Sequence, residues 1–240
     1  MIDIHTHILP NLDDGSSSPE ESIAMLVEMK KQGLDTVVAT PHFYAHRNYP
    51  EKFINARKKA GIRLKKALIQ WNQTLDLQIA LGSEVAFFND MSHCEELESM
   101  CMVGTKVLLL EMPFTKITPT MIHEVEEIRR RGITPIIAHC ERYIPFKNHW
   151  ELFDELKNVG AYIQANGSFF LKNKTKRRAL HLLDEGKIHL LGSDAHNMDQ
   201  RPPCLGMVHE IIRSKLGEAP LKRIRYYEKS LTQGMKVLKV

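Results

Sequence analysis

Several features of membrane, secreted and nucleotide-binding proteins are missing from this 240-residue sequence. No apolar stretch approaches the roughly 20 residues that cross a bilayer, and the N-terminus lacks the basic-then-apolar pattern of a signal peptide. The four cysteines include no CxxC pair, so neither a zinc knuckle nor a redox motif is indicated. No glycine-rich nucleotide loop follows a predicted strand. These absences predict a cytoplasmic protein without membrane insertion, in which the cysteines are small buried hydrophobes.

A strong excess of charge is also missing, since the formal net charge is only +4. Basic residues concentrate at 57–66 and 172–178, and we interpret both stretches as solvated helix faces. The alternative is attraction of an anionic partner. Stacking aromatics are not interleaved with these charges, so no nucleic-acid partner is expected. The composition is that of a globular protein, and the length suits a single domain over residues 1–240.

The sequence does contain a series of apolar runs that carry metal-type ligands. His5 and His7 lie on one face of the first strand, because strand side chains alternate with period two, and Asp194 and His196 repeat this spacing. Carboxylates rarely finish apolar strands unless they are partnered. Imidazole and carboxylate donors together suit a borderline or hard divalent cation. The candidate ligands are His5, His7, His42, Glu84, Glu111, His139, Asp194 and His196.

Strand-like and helical segments alternate along the chain. Helices are predicted at 19–32, 51–72, 90–100, 118–131, 148–158 and 175–185, with more after Pro203. Strands are predicted at the N-terminus, up to residue 40, and at 76–84, 106–112, 133–139, 160–166 and 187–193. Repeated βα units predict a parallel sheet. Ligands at the ends of nearly every strand meet only if the sheet closes, so we predict an α/β fold, a distorted (β/α)7 TIM-like barrel with the metal site at the C-terminal strand ends.

Two further polar positions are ambiguous on the sequence alone. Either Asp13 or Asp14 is a candidate ninth ligand, although Asp-Asp-Gly is also a good turn sequence. Asn166 ends the sixth predicted strand, and we interpret it as a cap for the segment that follows. Both positions therefore remain open at this point.

Six motifs resemble those of the polymerase-and-histidinol-phosphatase (PHP) superfamily in their order and spacing: DIHTH, TPH, GSE, LLLEMP, IIAHCER and GSDAHN. Within that superfamily, three stretches are similar to bacterial manganese-dependent protein tyrosine phosphatases of capsule and exopolysaccharide operons (CpsB/CapC type). These stretches are MIDIHTHILPNLDDGS, HCER and SDAHN followed by RP, and the resemblance runs from residue 1 to about 206.

The resemblance implies three divalent metal ions, with Mn²⁺ favoured and Fe²⁺ or Zn²⁺ as alternatives. It implies that Asp14, not Asp13, is the ninth ligand, and that Arg142 and Arg201 hold the substrate phosphate. The implied ligand sets are His5, His7, Glu84 and Asp194 for the first ion; Glu84, Glu111 and His139 for the second; and Asp14, His42 and His196 for the third. Four carboxylates against three divalent cations leave a formal charge near +2, which would attract a phosphate dianion.

The function implied by the resemblance is hydrolysis of phosphotyrosine by a metal-activated hydroxide. The implied partner is a membrane-associated bacterial tyrosine kinase that controls polysaccharide export. Cysteine-based catalysis is excluded, because no cysteine is followed six positions later by arginine. The rival interpretation is a small-molecule phosphatase of the same superfamily, chiefly one acting on histidinol phosphate. A third interpretation is a metal-binding regulatory protein without turnover, which would not need so complete a ligand set.

Overall fold

The computed structural model describes residues 1–144 and 149–238, and within them it is an α/β fold. Its strands are β1 (Ile2–Thr6), β2 (Thr36–Ala39), β3 (His42–Phe43), β4 (Gln78–Leu81), β5 (Glu84–Ala86), β6 (Val107–Glu111), β7 (Thr134–Ile137), β8 (Tyr162–Asn166) and β9 (Leu190–Gly192). Its helices are α1 (Pro19–Lys31), α2 (Pro50–Trp71), α3 (Leu97–Met100), α4 (Pro119–Arg130), α5 (His149–Asn158), α6 (Gly167–Leu171), α7 (Asn173–Asp184), α8 (Leu205–Leu216) and α9 (Ala219–Leu231). Strands and helices alternate, as the sequence predicts.

Every pairing between these strands is parallel. One sheet has the order β1-β2-β4 and the other the order β3-β5-β6-β7-β8-β9. The first and last strands also meet, because the Asp194 amide donates to the carbonyl of His5 and the His7 amide to that of Ala195, each at 2.9 Å. The parallel sheet is therefore curled, and the predicted barrel-like α/β class is confirmed.

The prediction of seven continuous strands is not confirmed. The strand predicted up to residue 40 ends at Ala39 and is followed by a separate short strand, β3, which was not predicted. The strand predicted at 76–84 is divided in two at Gly82–Ser83. Pro41 has no N–H to donate within a central strand, which explains why β2 stops before it. β2 and β3 belong to different sheets, and so do β4 and β5. As a result, His42 begins a strand instead of following one, and Glu84 begins a strand instead of ending one.

The helix predictions are confirmed in part. Ser18 caps α1 through a hydrogen bond from the Glu21 amide at 3.2 Å, and proline occupies the first turn. The predicted helix 90–100 divides into a 3₁₀ turn at Met91–His93 and the short α3. Residue 148, predicted to begin the fifth helix, lies outside the described residues. Along the described chain, no helix combines the length and apolar character required to span a bilayer.

Apolar side chains fill the inside of the curled sheet. Buried residues from both sheets meet there, including Ile4 of β1, Val38 of β2 and Leu109 of β6. The larger core packs the helices against the outside of the sheet. The apolar interior supports a polar cluster at the carboxyl ends of the strands, where active sites of barrel enzymes lie.

Candidate metal centre

The deepest part of the polar cluster combines two histidines with two carboxylates. The Nε2 atoms of His5 and His7 lie 3.2 Å apart. Glu84 Oε2 is 3.1 Å from His5 Nε2 and 3.3 Å from His7 Nε2, and Asp194 Oδ1 is 3.4 Å from each. All four side chains are almost fully buried. The structure therefore brings together the four residues that the resemblance assigns to one ion.

The second predicted group surrounds the other oxygen of Glu84. His139 Nε2 lies 2.8 Å from Glu84 Oε1 and 3.2 Å from Glu111 Oε1. His42 also approaches this group, since its Nδ1 is 3.0 Å from Glu84 Oε2. Donor atoms of His42, Glu84 and Glu111 lie within 4.8 Å of one another. Glu84 thus lies between the first two groups, and His42 is shared more widely than the resemblance implies.

The third predicted group lies at the edge of the cluster. Asp14 Oδ1 is 3.5 Å from both His42 Nε2 and His196 Nε2. His7 joins these three residues within a 4.8 Å group. The Asp14 side chain is 66% exposed, so this group opens to solvent.

Adjacent aspartates have different positions, which bears on the choice between Asp13 and Asp14. Asp13 is buried, and its Oδ2 accepts hydrogen bonds from His7 Nδ1 at 2.7 Å and from the His42 amide at 3.0 Å. Burial alone would raise the pKa of Asp13, but the positive charge of His7 and these hydrogen bonds lower it far below its ordinary value. Asp13 therefore orients His7, while Asp14 faces the cluster.

Three histidines have their Nδ1 atoms occupied by hydrogen-bond acceptors. His7 donates to Asp13, His5 to Gln164 Oε1 at 3.3 Å, and His196 to the carbonyl of Asp194 at 3.0 Å. A histidine whose Nδ1 donates a hydrogen bond presents Nε2 as its lone-pair atom. The same arrangement fixes the ring orientation of metal-binding histidines.

The chemistry of the donor set fits divalent metal ions. Among the described residues, His42 Nδ1, Glu84 Oε2 and His196 Nε2 are buried atoms that form no hydrogen bond, although other candidate ligand atoms lie 3.0–3.5 Å from them. Burial opposes ionisation of Glu84 and Asp194, but the charge of His5 and hydrogen bonds from neighbouring histidines hold the pKa of both carboxyls well below the ordinary range. Converging anionic oxygens and lone-pair nitrogens are costly to bury unless a cation lies between them.

Backbone geometry at two ligand positions departs from strand conformation. His139 and Asp194 have positive φ angles of 36° and 55°, a conformation that non-glycine residues rarely adopt and that is concentrated at functional sites. The expectation that side chains alternate as in a strand beyond residues 137 and 192 is therefore wrong. The side chains of His139 and Asp194 nevertheless reach the cluster. The strand rule succeeds for His5 and His7, which lie at the end of β1.

Two glycines allow the backbone to approach the histidines closely. A Cβ on Gly192 would lie 2.6 Å from the Cβ of His5, and one on Gly15 would lie 2.1 Å from the carbonyl oxygen of His7. Both distances are shorter than van der Waals contact. The Asp-Asp-Gly turn can fold back over His7 only because residue 15 has no side chain.

Sequence reasoning missed three polar residues that support the cluster. Gln164 accepts from the His139 amide at 2.8 Å, and Asn166 Nδ2 donates to Asp194 Oδ2 at 2.7 Å. Asn166 forms no side-chain cap, so that interpretation is wrong. Asp3 is buried and accepts from the amides of His5 and Ser193, at 3.2 and 3.0 Å, which ties β1 to β9. The period-two pattern of Asp3, His5 and His7 was the available signal for Asp3.

Both predicted arginines lie at the rim of the cluster. Arg142 Nη2 is 3.3 Å from Asp194 Oδ2, and Arg201 Nη2 forms an ion pair with the same oxygen. Each side chain is 36% exposed. They border a cavity of about 540 Å³ that opens beside Asp194. Phe114, which sequence reasoning also missed, lies against Arg142 with the guanidinium carbon 5.1 Å from the ring centre.

Residues 1–232 match the family model described as "Capsular polysaccharide synthesis, CpsB/CapC". The chain belongs to the CpsB/CapC family. The tyrosine-protein phosphatase CpsB of Streptococcus pneumoniae is 33% identical over 233 residues, covering 93% of this chain and 94% of the relative. The tyrosine-protein phosphatase YwqE of Bacillus subtilis (strain 168) is 31% identical over 207 residues, covering 84% of this chain and 79% of YwqE.

Solved structures of the CpsB/CapC family have the same fold. A structure from work on YwqE of Bacillus subtilis and CpsB of Streptococcus pneumoniae, described as "unique metal-dependent tyrosine phosphatases", superposes with a TM-score of 0.85 at 26% identity. The alignment covers 100% of this chain and 97% of that chain. A TatD-like protein from Archaeoglobus fulgidus superposes with a TM-score of 0.51 at 16% identity over 94% of this chain and all of that one, which shows likeness of fold alone.

Proposed function

We propose that this chain is a metal-dependent protein tyrosine phosphatase. The observation that carries the proposal is the convergence of nine histidine and carboxylate side chains at the carboxyl end of the sheet, with two arginines beside them. Cationic groups around a rim are what a phosphate dianion needs. Membership of a family whose relatives are named tyrosine-protein phosphatases supports phosphotyrosine as the substrate.

We propose that three ions occupy the cluster, with Mn²⁺ as the ion used. His5, His7, Glu84 and Asp194 would hold the first, Glu84, Glu111 and His139 the second, and Asp14, His42 and His196 the third. These three groups are supported by the contacts of 2.8–3.5 Å among their donor atoms. When bound, divalent metal ions supply Lewis acidity, which neutralises phosphoryl oxygens and makes a water molecule more acidic.

The chain's own residues bind and orient the substrate. Arg142 and Arg201 share one oxygen of Asp194, so each guanidinium retains N–H groups for a phosphate. A planar guanidinium can bind two phosphate oxygens at once. The two forks would hold the phosphoryl group over the metal cluster.

The leaving group makes modest demands on the protein. A phenol has a pKa near 10, which makes it a better leaving group than an alkanol. Tyrosyl oxygen can therefore depart with less help from a general acid. Hydrolysis of an aryl phosphate is consistent with a cluster in which the buried carboxylates are committed to cations.

We also propose a partner and a setting for this activity. The substrate would be a phosphorylated tyrosine on a membrane-associated bacterial tyrosine kinase that controls capsule or exopolysaccharide export. The enzyme would act from the cytoplasm as one domain spanning residues 1–240. Support comes from the family description, which names capsular polysaccharide synthesis.

Comparison of two substrates tests the proposed function directly. We expect the Mn²⁺-loaded protein to hydrolyse synthetic phosphotyrosine peptides with a kcat/KM well above that for histidinol phosphate. Turnover of several peptides should be measured by phosphate release. A preference for histidinol phosphate would assign the chain to small-molecule metabolism, and failure on every peptide would defeat the proposal.

Metal removal is a second test. Chelation should abolish activity and added Mn²⁺ should restore it, because the phosphoryl charge has no sufficient counter-charge without the cations. Elemental analysis of the purified protein should find about three ions per chain. Activity that survives the chelator in metal-free protein would contradict the proposed mechanism.

A further inference from the structure

An exposed phenylalanine lies at the mouth of the metal centre. Phe114 follows β6 by three residues and is 52% exposed. Its ring centre is 5.9 Å from that of His139 and 6.2 Å from that of Tyr143, with an angle of 26° between the planes of Phe114 and Tyr143. The ring is thus held by neighbours although half of its surface is open to solvent.

The same ring touches one of the proposed phosphate-binding groups. The guanidinium carbon of Arg142 lies 5.1 Å from the centre of the Phe114 ring, within cation–π distance. A phosphate bound by Arg142 would therefore have Phe114 within reach of its organic substituent. Single hydrophobic residues on a surface need no functional explanation, but Phe114 differs from them because it contacts Arg142.

A second aromatic side chain lies on the other side of the cluster. Tyr44 directly follows β3 and stacks on His42, with ring centres 5.1 Å apart and an angle of 27° between the planes. β5, which carries Glu84, lies between β3 and β6 in the sheet. Because neighbouring strands are about 4.8 Å apart, the strands that lead to Tyr44 and Phe114 are separated by roughly 10 Å. Two aromatic rings therefore flank the approach to Glu84.

We infer that Phe114, with Tyr44 opposite, contacts the phenyl ring of the substrate and selects aryl phosphates over alkyl phosphates. The inference rests on the proposed function and adds a specificity determinant to the same site. Aromatic pairs contribute about 0.5–1.5 kcal/mol beyond the area that they bury. Phe114 would supply this energy only when the phosphate carries an aromatic group.

Binding of two phosphonates to the Mn²⁺-loaded protein tests this inference. Phenylphosphonate and methylphosphonate present the same phosphonate group, but only phenylphosphonate carries a ring. Phe114→Ala, which removes the ring, should raise the calorimetric Kd of phenylphosphonate about three- to tenfold. The Kd of methylphosphonate should stay unchanged. Phe114→Tyr, which keeps a ring, should retain most of the affinity for phenylphosphonate. Tyr226→Ala removes an exposed aromatic side chain from α9, outside the metal centre, and should change neither Kd.

Three outcomes would overturn the inference. The wild-type protein could bind both phosphonates equally, or Phe114→Ala could weaken both by the same factor, which would mean that Phe114 only positions Arg142. Phe114→Tyr could also bind as poorly as Phe114→Ala. Failure of the proposed function is distinguishable, because absence of turnover on phosphotyrosine peptides would leave a ring-dependent difference in phosphonate Kd intact.

Discussion

The floor and the rim of the metal centre are built in different ways. Floor residues such as His5, Glu84 and Asp194 are almost fully buried and lie on strands or on backbone joined across β1 and β9. Rim residues such as Arg142, in a 3₁₀ turn, and Phe114, beyond the end of β6, remain partly exposed. The floor is therefore fixed by the fold itself. The rim can change its affinity and selectivity without disturbing the sheet.

Electrostatics sharpen this difference. Floor carboxylates lie among histidines in a buried region where each charge depends on the others, so removing one leaves uncompensated charge. Rim charges are screened by solvent, and their loss has a smaller effect on the remaining groups. Substitutions on the floor should accordingly affect metal content and activity together, whereas those on the rim should affect substrate binding alone.

The largest effect is expected for Glu84, which lies between the first two ligand groups. Glu84→Gln removes one negative charge from contacts with His5, His7 and His139. Loss of a side chain that binds the metal directly should cost several kcal/mol of transition-state stabilisation, and kcat/KM should fall by about a thousandfold or more. Elemental analysis of the variant should find fewer ions per chain.

A substitution outside the centre provides the matched control for Glu84. Asp76 is exposed and pairs with Lys30 in a surface contact of 3.2 Å, so Asp76→Asn should leave metal content and kcat/KM unchanged. Near-normal metal content and rate in Glu84→Gln would show that the floor has been placed wrongly.

The next largest effect is expected for the rim arginines. Arg142→Ala and Arg201→Ala should each remove charge-assisted hydrogen bonds to phosphate that contribute about 1.5–3 kcal/mol. We expect kcat/KM to fall roughly tenfold to a hundredfold, while metal content stays at the wild-type level. Loss of bound metal in either variant would mean that the rim is part of the floor, since both arginines also contact Asp194.

Asp13 tests the boundary between the two regions. Asp13→Ala should release the ring of His7 and the His42 amide, and partners that orient metal ligands affect metal affinity or activity by about tenfold to a hundredfold. We place Asp13 at the lower end of that range because His7 retains its other contacts. Metal titration should show weaker binding that high Mn²⁺ concentration rescues. A defect that excess metal does not rescue would contradict a purely orienting role.

The features of the fold and site that could be predicted from the sequence follow the same division between floor and rim. Period-two alternation and strand ends are local properties, so the α/β class and the convergence of His5, His7 and Glu111 could be predicted. The left-handed backbone at His139 and Asp194 depends on tertiary closure and has no local signal. The contacts of Gln164 and Phe114 likewise arise from distant elements. A turn sequence alone cannot separate the roles of Asp13 and Asp14. The resemblance implies Asp14 as the ligand, and in the structure Asp14 Oδ1 lies 3.5 Å from His42 and His196.

The smallest effect is expected for Cys140, which lies between the floor residue His139 and the rim residue Arg142. Its side chain is buried in the apolar core, at the start of the 3₁₀ turn Cys140–Arg142, so it is a packing residue as predicted. Burial and the charge of Glu141 raise the pKa of this thiol well above its ordinary value, which disfavours a thiolate nucleophile. Cys140→Ser and Cys140→Ala should therefore keep most of the wild-type kcat/KM. The serine variant should be the less stable of the two in thermal unfolding, because burying a hydroxyl without a partner costs about 1–3 kcal/mol. If both variants were inactive with metal content and unfolding temperature intact, the thiol would belong to the reaction and the division between floor and rim would have to be redrawn.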